Sequence, residues 1–201
     1  MKTRTLFVTL FLAASLLACQ KSEPPAPVFH ATDITGAAFA RDFELTDHNG
    51  QTRKLSDFRG KLVAMFFGYT HCPDVCPTTL SDFAMALKSM GVDAKKVQVI
   101  FVTVDPERDT PDILKKYVPA FNPTFLGMVT DPTHLVMLAK EYKVVYEKTS
   151  GRKQGDYLID HSAGTYIYDQ EGRLRLLMPY GSGAEVIAKD LKALLKPEGK
   201  P

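Results

Sequence analysis

The chain has 201 residues, 45% of them hydrophobic, which is enough for one α/β domain with a single core. Its net charge of +2 becomes zero when Lys2 and Arg4 are set aside, because the 25 Lys and Arg residues then number 23, equal to the 23 Asp and Glu. A neutral surface without basic runs offers no electrostatic basis for binding nucleic acid, so we exclude that class of partner.

Residues 1–18 have the pattern of a targeting segment that is removed from the mature protein. Lys2 and Arg4 precede an apolar stretch at 6–17, which is shorter than the about 20 residues of a transmembrane helix and suits a signal peptide. The end of this segment, LLAC, resembles the lipobox of bacterial lipoproteins, which implies that Cys19 carries a lipid and becomes the mature N-terminus. An ordinary secretory signal and an uncleaved anchor are the alternatives, and all three place the folded part outside the cytoplasm.

A Pro-rich spacer is expected to join this anchor to the folded domain. It covers residues 19–42 and contains the sequence EPPAP, so the domain itself is predicted at 43–197. The domain starts with a β-hairpin over 43–55, because the Asn-Gly pair at its centre readily adopts the positive φ angles of a tight turn. A continuous apolar run at 62–69 then predicts a central strand buried on both faces, and an amphipathic helix follows at about 78–90.

The rest of the chain alternates between predicted strands and helices. We predict strands at 97–105 and 124–130, each followed by a helix, at 111–121 and 132–142. A hairpin at 163–178 and a last helix at 184–195 complete the domain. This order is that of a thioredoxin-like α/β sheet with an added N-terminal β-hairpin and a C-terminal β-hairpin plus helix. Ligands bind at the carboxyl ends of parallel strands in such sheets, so the loops 70–77 and 105–111 are the candidates for a site.

Cys72 and Cys76 lie where the predicted central strand gives way to a helix. Free backbone N–H groups and the helix dipole stabilise thiolates there, so we expect thiol pKa values below the free value of about 8.5. Residues four apart share a helix face with Cα atoms about 6 Å apart, near the upper end of disulfide geometry. A metal ion between two sulfurs tolerates this gap better than a bond does, so the spacing favours a shared ligand without forbidding a disulfide.

His161 is the best placed of the five histidines to supply a third donor. It precedes the C-terminal hairpin, and the loop entering that hairpin in a thioredoxin-like fold faces the cysteine loop. A loop histidine without a ligand role is the alternative. The other histidines are expected at the surface or, in one case, beside the site: His30, His48, His134 and the adjacent His71. Two thiolates and an imidazole favour copper, since structural zinc takes four protein ligands and sulfur selects Cu(I), although zinc is not excluded by ligand type alone.

Three segments resemble the signature blocks of the Sco/SenC family, in the same order and at similar spacing. They read GYTHCPDVCP at 68–77, VDPERDTP at 104–111 and DHSA at 160–163. The resemblance covers about residues 40–196. It implies a thioredoxin-like fold and one copper ion, Cu(I) or Cu(II), bound by Cys72, Cys76 and His161.

The same resemblance implies a partner and a location. The partner is cytochrome c oxidase subunit II, whose binuclear copper centre such proteins help to assemble, and an upstream periplasmic copper carrier is a further candidate. Membrane anchoring by a lipid or a helix is usual in the family, which agrees with a lipoprotein on the periplasmic side of a bacterial cell envelope.

Two functions remain open for this residue set. The first is a metallochaperone that delivers copper, and the second is a thiol–disulfide reductase in which Cys72 and Cys76 keep the cysteines of the oxidase reduced. A peroxidase of the peroxiredoxin type is a weaker third candidate, because its second thiol does not generally lie four residues on. Asp74 and Asp105 are candidates for the outer shell of the copper site or for partner docking. Arg108 is expected to pair with Asp109 or a neighbouring carboxylate. A purely structural loop is the alternative for residues 104–111.

Overall fold

The computed structural model describes residues 27–150 and 156–196, and its centre is an eight-stranded mixed sheet. The targeting segment and Cys19 therefore lie outside the described residues. The strands are β1 (Thr32–Asp33), β2 (Glu44–Asp47), β3 (Thr52–Lys54), β4 (Leu62–Gly68), β5 (Val97–Thr103), β6 (Leu126–Val129), β7 (Tyr146–Ser150), β8 (Tyr157–His161), β9 (Thr165–Tyr168) and β10 (Leu174–Met178). The helices are α1 (Val75–Met90), α2 (Pro111–Phe121), α3 (Pro132–Glu141) and α4 (Gly183–Leu194).

The strand order of the main sheet is β1-β10-β9-β4-β5-β6-β2-β3, and β7 pairs with β8 in a separate two-stranded sheet. Strands β4, β5 and β6 are parallel, whereas the other pairs are antiparallel. Every residue of β4 and β5 is buried, as expected for apolar strands in the interior of a sheet. Their register runs from Leu62 opposite Val97 to Gly68 opposite Thr103, so both strands end at one edge of the sheet.

The helices follow from local sequence signals at their first turns and along their apolar faces. Helix α1 buries a stripe of apolar residues against the sheet: Leu80, Phe83, Leu87 and Met90. It begins at Val75, one turn earlier than predicted, which places Cys76 in its first turn. Helix α2 is capped by Thr110, whose side chain accepts from the N–H of Ile113, and helix α3 by Asp131.

The predicted thioredoxin-like fold is confirmed, with its N-terminal hairpin (β2–β3) and its C-terminal hairpin (β9–β10) followed by α4. The structured unit, however, starts at Val28, inside the stretch assigned to the spacer. Strand β1 pairs with β10, and the buried carboxylate of Asp190 accepts from the N–H groups of His30 (3.0 Å) and Ala31 (2.8 Å). A two-residue strand is too short to leave a periodic signal, so the sequence did not reveal it.

Two further features differ from the sequence-based expectations. The hairpin β7–β8 was not predicted, because most positions of β7 are polar and exposed. His48, expected at the surface, is only 7% exposed, and its Nδ1 accepts from the N–H of Gly127 at 3.0 Å. It ties the turn after β2 to strand β6. Within residues 27–150 and 156–196, no helix combines the length and the hydropathy that a bilayer crossing requires.

Candidate metal centre

Three segments bring two thiols and one imidazole together at the carboxyl edge of β4. Cys72 lies in the loop after this strand, Cys76 in the first turn of α1, and His161 at the end of β8. The Nε2 atom of His161 is 3.6 Å from Sγ of Cys76, and the ligand atoms of all three side chains lie within 4.8 Å of one another. In the described part of the chain, this is the only cluster of His, Cys, Asp and Glu that could hold a metal ion.

A backbone hydrogen bond orients the imidazole of His161. Its Nδ1 lies 3.0 Å from the carbonyl oxygen of Ser162. A carbonyl can only accept, so Nδ1 carries the proton and Nε2 presents a lone pair toward Cys76. A hydrogen bond of this kind fixes the ring and makes the other nitrogen a better donor to a metal.

The two thiols differ sharply in acidity. A hydrogen bond from the Cys76 thiol lowers the pKa of Cys72 to about 5, with smaller contributions from the backbone N–H groups of Asp74 and Cys76 and from His161, while burial opposes the shift. The same hydrogen bond, together with burial, raises the pKa of Cys76. Cys72 is half-buried and Cys76 is fully buried, and both are free thiols. The metal-free pair therefore loses its first proton from Cys72 and retains the second at Cys76.

We expect alkylation of the reduced, metal-free protein to modify Cys72 first, at a rate that rises as the pH passes through about 5 and then levels off. The reason is that only the thiolate reacts, and a free thiol would show the rise near pH of about 8.5. Iodoacetamide labelling followed by mass spectrometry measures this profile. Cys76→Ala is the matched control and should move the midpoint upward, since it removes the hydrogen-bond donor. A midpoint near the free-thiol value, or prior labelling of Cys76, would contradict the assignment.

Gly68 makes room for the sulfur of Cys76. A Cβ atom at this position would lie 2.8 Å from Sγ of Cys76 and 2.9 Å from the ring of Phe101, both closer than real Cβ contacts. All three residues are buried, so neither neighbour can move into solvent. The sequence does contain a signal for this contact, because a glycine that ends a strand of bulky apolar residues often marks the close approach of another group to the backbone.

Asp109 holds the start of the cysteine loop. Its carboxylate is fully buried and accepts from the N–H of Thr70 (2.9 Å), the hydroxyl of Thr70 (2.5 Å) and the hydroxyl of Thr103 (2.6 Å). These bonds join the residue two positions before Cys72 to the end of β5. Asp109 does not cap α2, because the cap is Thr110, and the Asp109 carboxylate faces the cysteine loop instead.

Asp74 and Asp105 lie outside the cluster of possible metal ligands. Asp74 is exposed at the start of α1, and its Oδ1 accepts from the hydroxyl of Thr78 at 3.3 Å. Asp105 is 1% exposed and accepts from the hydroxyl of Tyr157 (2.7 Å) and from Nε of Arg108. Arg108 thus pairs with the neighbouring Asp105 rather than with Asp109, and its Nη1 also lies 3.6 Å from Oδ1 of Asp156.

Tyr69 links the cysteine loop to the strand that carries the histidine. Its ring meets that of His161 edge-on, with centroids 6.0 Å apart, and its hydroxyl accepts from the N–H of Ile159 at 3.1 Å. Burial raises the pKa of this phenol, which therefore stays protonated at neutral pH. Sequence reasoning missed this residue, because a tyrosine that ends an apolar strand looks like any other core residue.

The donor set of two sulfurs and one imidazole nitrogen fits a soft metal ion. Thiolates select Cu(I), and imidazole binds both copper oxidation states. The half-buried Cys72 and His161 form the accessible side of the cluster, and Cys76 forms its floor. Such a site can take up an ion from the surface and can also be reached by another ligand.

A family model described as SCO1/SenC matches residues 31–196. The chain belongs to the SCO1/SenC family. Over 153 residues it is 35% identical to the mitochondrial protein SCO2 homolog of Mus musculus, covering 75% of this chain and 60% of that protein. Over 133 residues it is 35% identical to the SCO2-like protein of Rickettsia felis, covering 66% of this chain and 65% of that protein. The chain thus spans less than two-thirds of the length of these SCO1/SenC relatives.

Solved structures of Sco proteins share the fold. The copper-bound ScoI of Bradyrhizobium japonicum aligns with a TM-score of 0.72 and 42% identity, over 79% of this chain and 100% of that one. The apo Sco1 of Thermus thermophilus aligns with a TM-score of 0.74 and 39% identity, over 86% of this chain and 100% of that one. A third structure is that of BsSco, a member of the Sco family of cytochrome c oxidase assembly proteins. It aligns with a TM-score of 0.59 and 20% identity, over 81% of this chain and 98% of that one, which shows a common fold. The predicted family is confirmed.

Proposed function

We propose that this SCO1/SenC protein is a copper metallochaperone. In this proposal Cys72, Cys76 and His161 bind one copper ion, which passes to the binuclear copper site of cytochrome c oxidase subunit II. The observation that carries the proposal is the convergence of three donor atoms within 4.8 Å, two from the cysteine loop and one from a histidine 85 residues beyond Cys76. The family to which the chain belongs supports both the metal and the partner.

The geometry suits transfer by ligand exchange. An incoming ligand of the partner can approach from the accessible side, where Cys72 and His161 lie, and bind the ion before it leaves the buried Cys76. When the ion departs, Cys72 remains a thiolate at neutral pH because its pKa is about 5. Cys76, whose pKa is raised, takes up a proton. Release of copper is therefore coupled to protonation of Cys76, which favours the metal-free product.

A second function, thiol–disulfide reduction, is favoured by the asymmetry of the two thiols. The Cys72 thiolate is accessible and can attack a disulfide of the partner, forming a mixed disulfide and releasing one partner thiolate. The Cys76 thiol, once deprotonated, then attacks Sγ of Cys72. This step releases the second partner thiolate and leaves a Cys72–Cys76 disulfide, so two electrons pass from this chain to the partner.

The two functions are separated by mixing the chain with the soluble copper domain of an oxidase subunit II. Copper delivery predicts that the Cu(I)-loaded chain metallates the reduced, metal-free domain, and that His161→Ala impairs this transfer. Reduction predicts that the metal-free chain restores free thiols to the oxidised domain, with or without His161. Metal analysis of the separated proteins and a thiol count read the two outcomes. Copper that stays on the chain, together with unimpaired reduction, would overturn delivery in favour of the reductase.

We also propose that Cys19 anchors the chain by a lipid on the periplasmic side of the cell envelope. The sequence LLAC at 16–19, preceded by a positive and then an apolar segment, supports this assignment. Cys19→Ser is expected to move the protein from the membrane fraction to the soluble periplasmic fraction, as measured by fractionation and immunoblotting. Unchanged membrane partitioning of the variant would contradict lipidation.

A further inference from the structure

The histidine of the metal centre is carried by the hairpin β7–β8, which lies outside the main sheet. His161 ends β8 and pairs with Tyr146 of β7. The main sheet therefore does not fix the position of the imidazole through its strand ladder. Contacts between the hairpin and the loops of the carboxyl edge must hold Nε2 of His161 within 3.6 Å of Cys76.

Arg108 makes several of these contacts. Most are to Tyr157, the first residue of β8, and its Nη1 also lies 3.6 Å from Oδ1 of Asp156, the residue before it. Its guanidinium carbon lies 3.6 Å from the centroid of the Tyr157 ring, and its Nη1 donates to the Tyr157 carbonyl at 3.0 Å. Its Nε donates to Oδ2 of Asp105, while the Tyr157 hydroxyl donates to Oδ1 of the same carboxylate at 2.7 Å. One buried carboxylate and one guanidinium thus hold the ring, the hydroxyl and the backbone of Tyr157 together.

The same guanidinium lies close to a second anchor of the strand. Its carbon is 5.8 Å from the centroid of the Tyr69 ring, whose hydroxyl accepts from the N–H of Ile159. Tyr157, Ile159 and His161 alternate along β8 and point to the same side of the strand. Because the first two are tied to the domain by Arg108 and Tyr69, the third is placed against the cysteines.

We propose that Arg108 is a positioning residue for His161, holding the hairpin so that the imidazole faces Cys76 before any metal binds. The inference rests on the proposed function, because a fixed imidazole matters only where His161 binds copper. The fork of the guanidinium is essential, since Nε and Nη1 serve Asp105 and the Tyr157 carbonyl at the same time. A lysine carries the same charge but cannot make both bonds and the flat contact with the ring.

Lys148 provides a matched comparison on the same hairpin. Its Nζ lies 2.8 Å from Glu107 and 4.6 Å from the centroid of the Tyr157 ring. Both side chains of this ion pair are largely exposed, at 49% and 64%, so the pair contributes little. Arg108, by contrast, is 20% exposed and its partner Asp105 is buried. Removing either cation is expected to leave the main sheet intact, but only Arg108 should matter for the histidine.

The first test uses the metal-free protein and hydrogen exchange. Arg108→Met is expected to speed exchange of the Ile159 amide by about tenfold or more, because the hairpin then opens locally. Lys148→Met should leave this rate unchanged, and amides of β4 and β5 should keep their protection in both variants, which shows that the domain remains folded. Unchanged exchange at Ile159 in Arg108→Met would overturn the proposal.

The second test is a double-mutant cycle on Cu(I) affinity. Arg108→Met is expected to weaken binding about tenfold in the otherwise unmodified chain and to have no further effect in the His161→Ala background. Arg108→Lys should recover only part of the loss. An equal loss in both backgrounds would show that Arg108 acts on the domain as a whole and would contradict the proposal. A chain that binds no copper at all would overturn the proposed function instead, and the exchange measurement would still decide the role of Arg108 in holding the hairpin.

Discussion

Replacing His161 with alanine is expected to weaken Cu(I) binding by about 100-fold, at the upper end of the losses that follow changes around a metal site. Cu(II) binding should suffer more, because the imidazole is the only donor of the cluster that is not a soft sulfur. The two thiols are expected to stay in place, because the loop after β4 and helix α1 carry them and His161 lies on β8. Anaerobic competition against a chromophoric Cu(I) chelator measures the first effect, and the Cu(II) absorption spectrum measures the second.

His71 is the matched control for this variant. It is adjacent to Cys72 and 53% exposed, and its Nδ1 lies 3.2 Å from the Thr70 hydroxyl, outside the ligand cluster. His71→Ala should therefore keep the affinity of the unmodified chain for both copper ions. A large loss of copper affinity in His71→Ala with none in His161→Ala would show that His71, and not His161, supplies the imidazole ligand.

Adding one methyl group at Gly68 is expected to damage both the fold and the metal centre. Gly68→Ala places a Cβ atom 2.8 Å from Sγ of Cys76 and 2.9 Å from the Phe101 ring, so the sulfur or the strand must shift. Overpacking of this kind costs about 1–3 kcal/mol of unfolding free energy. Because the displaced atom is a metal ligand of the proposed site, Cu(I) affinity should fall as well. Urea unfolding and the competition titration measure the two effects.

Gly127→Ala separates these effects, because Gly127 is also a buried glycine of a parallel strand. Its added Cβ would lie 3.0 Å from Cβ of Leu114 and 3.1 Å from Val118, away from the cysteines. This variant should lose stability but keep its copper affinity. If Gly68→Ala retained full affinity despite the clash, Cys76 would not be fixed by its contact with β4.

Much of the architecture could be read from local patterns. The apolar runs of β4 and β5 predict buried parallel strands, and a thiol pair after such a strand predicts a site at the sheet edge. The placement of His161 opposite this edge followed from the thioredoxin-like element order. Each of these inferences uses either the hydrophobic pattern of about ten neighbouring residues or the order of strands and helices along the chain, and both can be read from the sequence.

The parts that could not be predicted depend on contacts between distant segments. The partners of Asp109 and Arg108 are set by how loops meet, and several carboxylates were equally plausible in sequence. Strand β7 carries polar, exposed residues, so the hairpin that holds His161 has no apolar alternation to reveal it. The clash that makes Gly68 necessary exists only once α1 has packed on β4. These tertiary contacts nevertheless decide the shape of the site.

X-ray absorption spectroscopy of the Cu(I)-loaded chain is the decisive measurement, because it shows whether His161 binds the same copper ion as Cys72 and Cys76. The proposed site predicts two sulfur scatterers and one imidazole nitrogen in the unmodified chain, with the outer-shell scattering of the imidazole ring lost in His161→Ala. A spectrum with sulfur alone, or an imidazole signal that survives in His161→Ala, would contradict it.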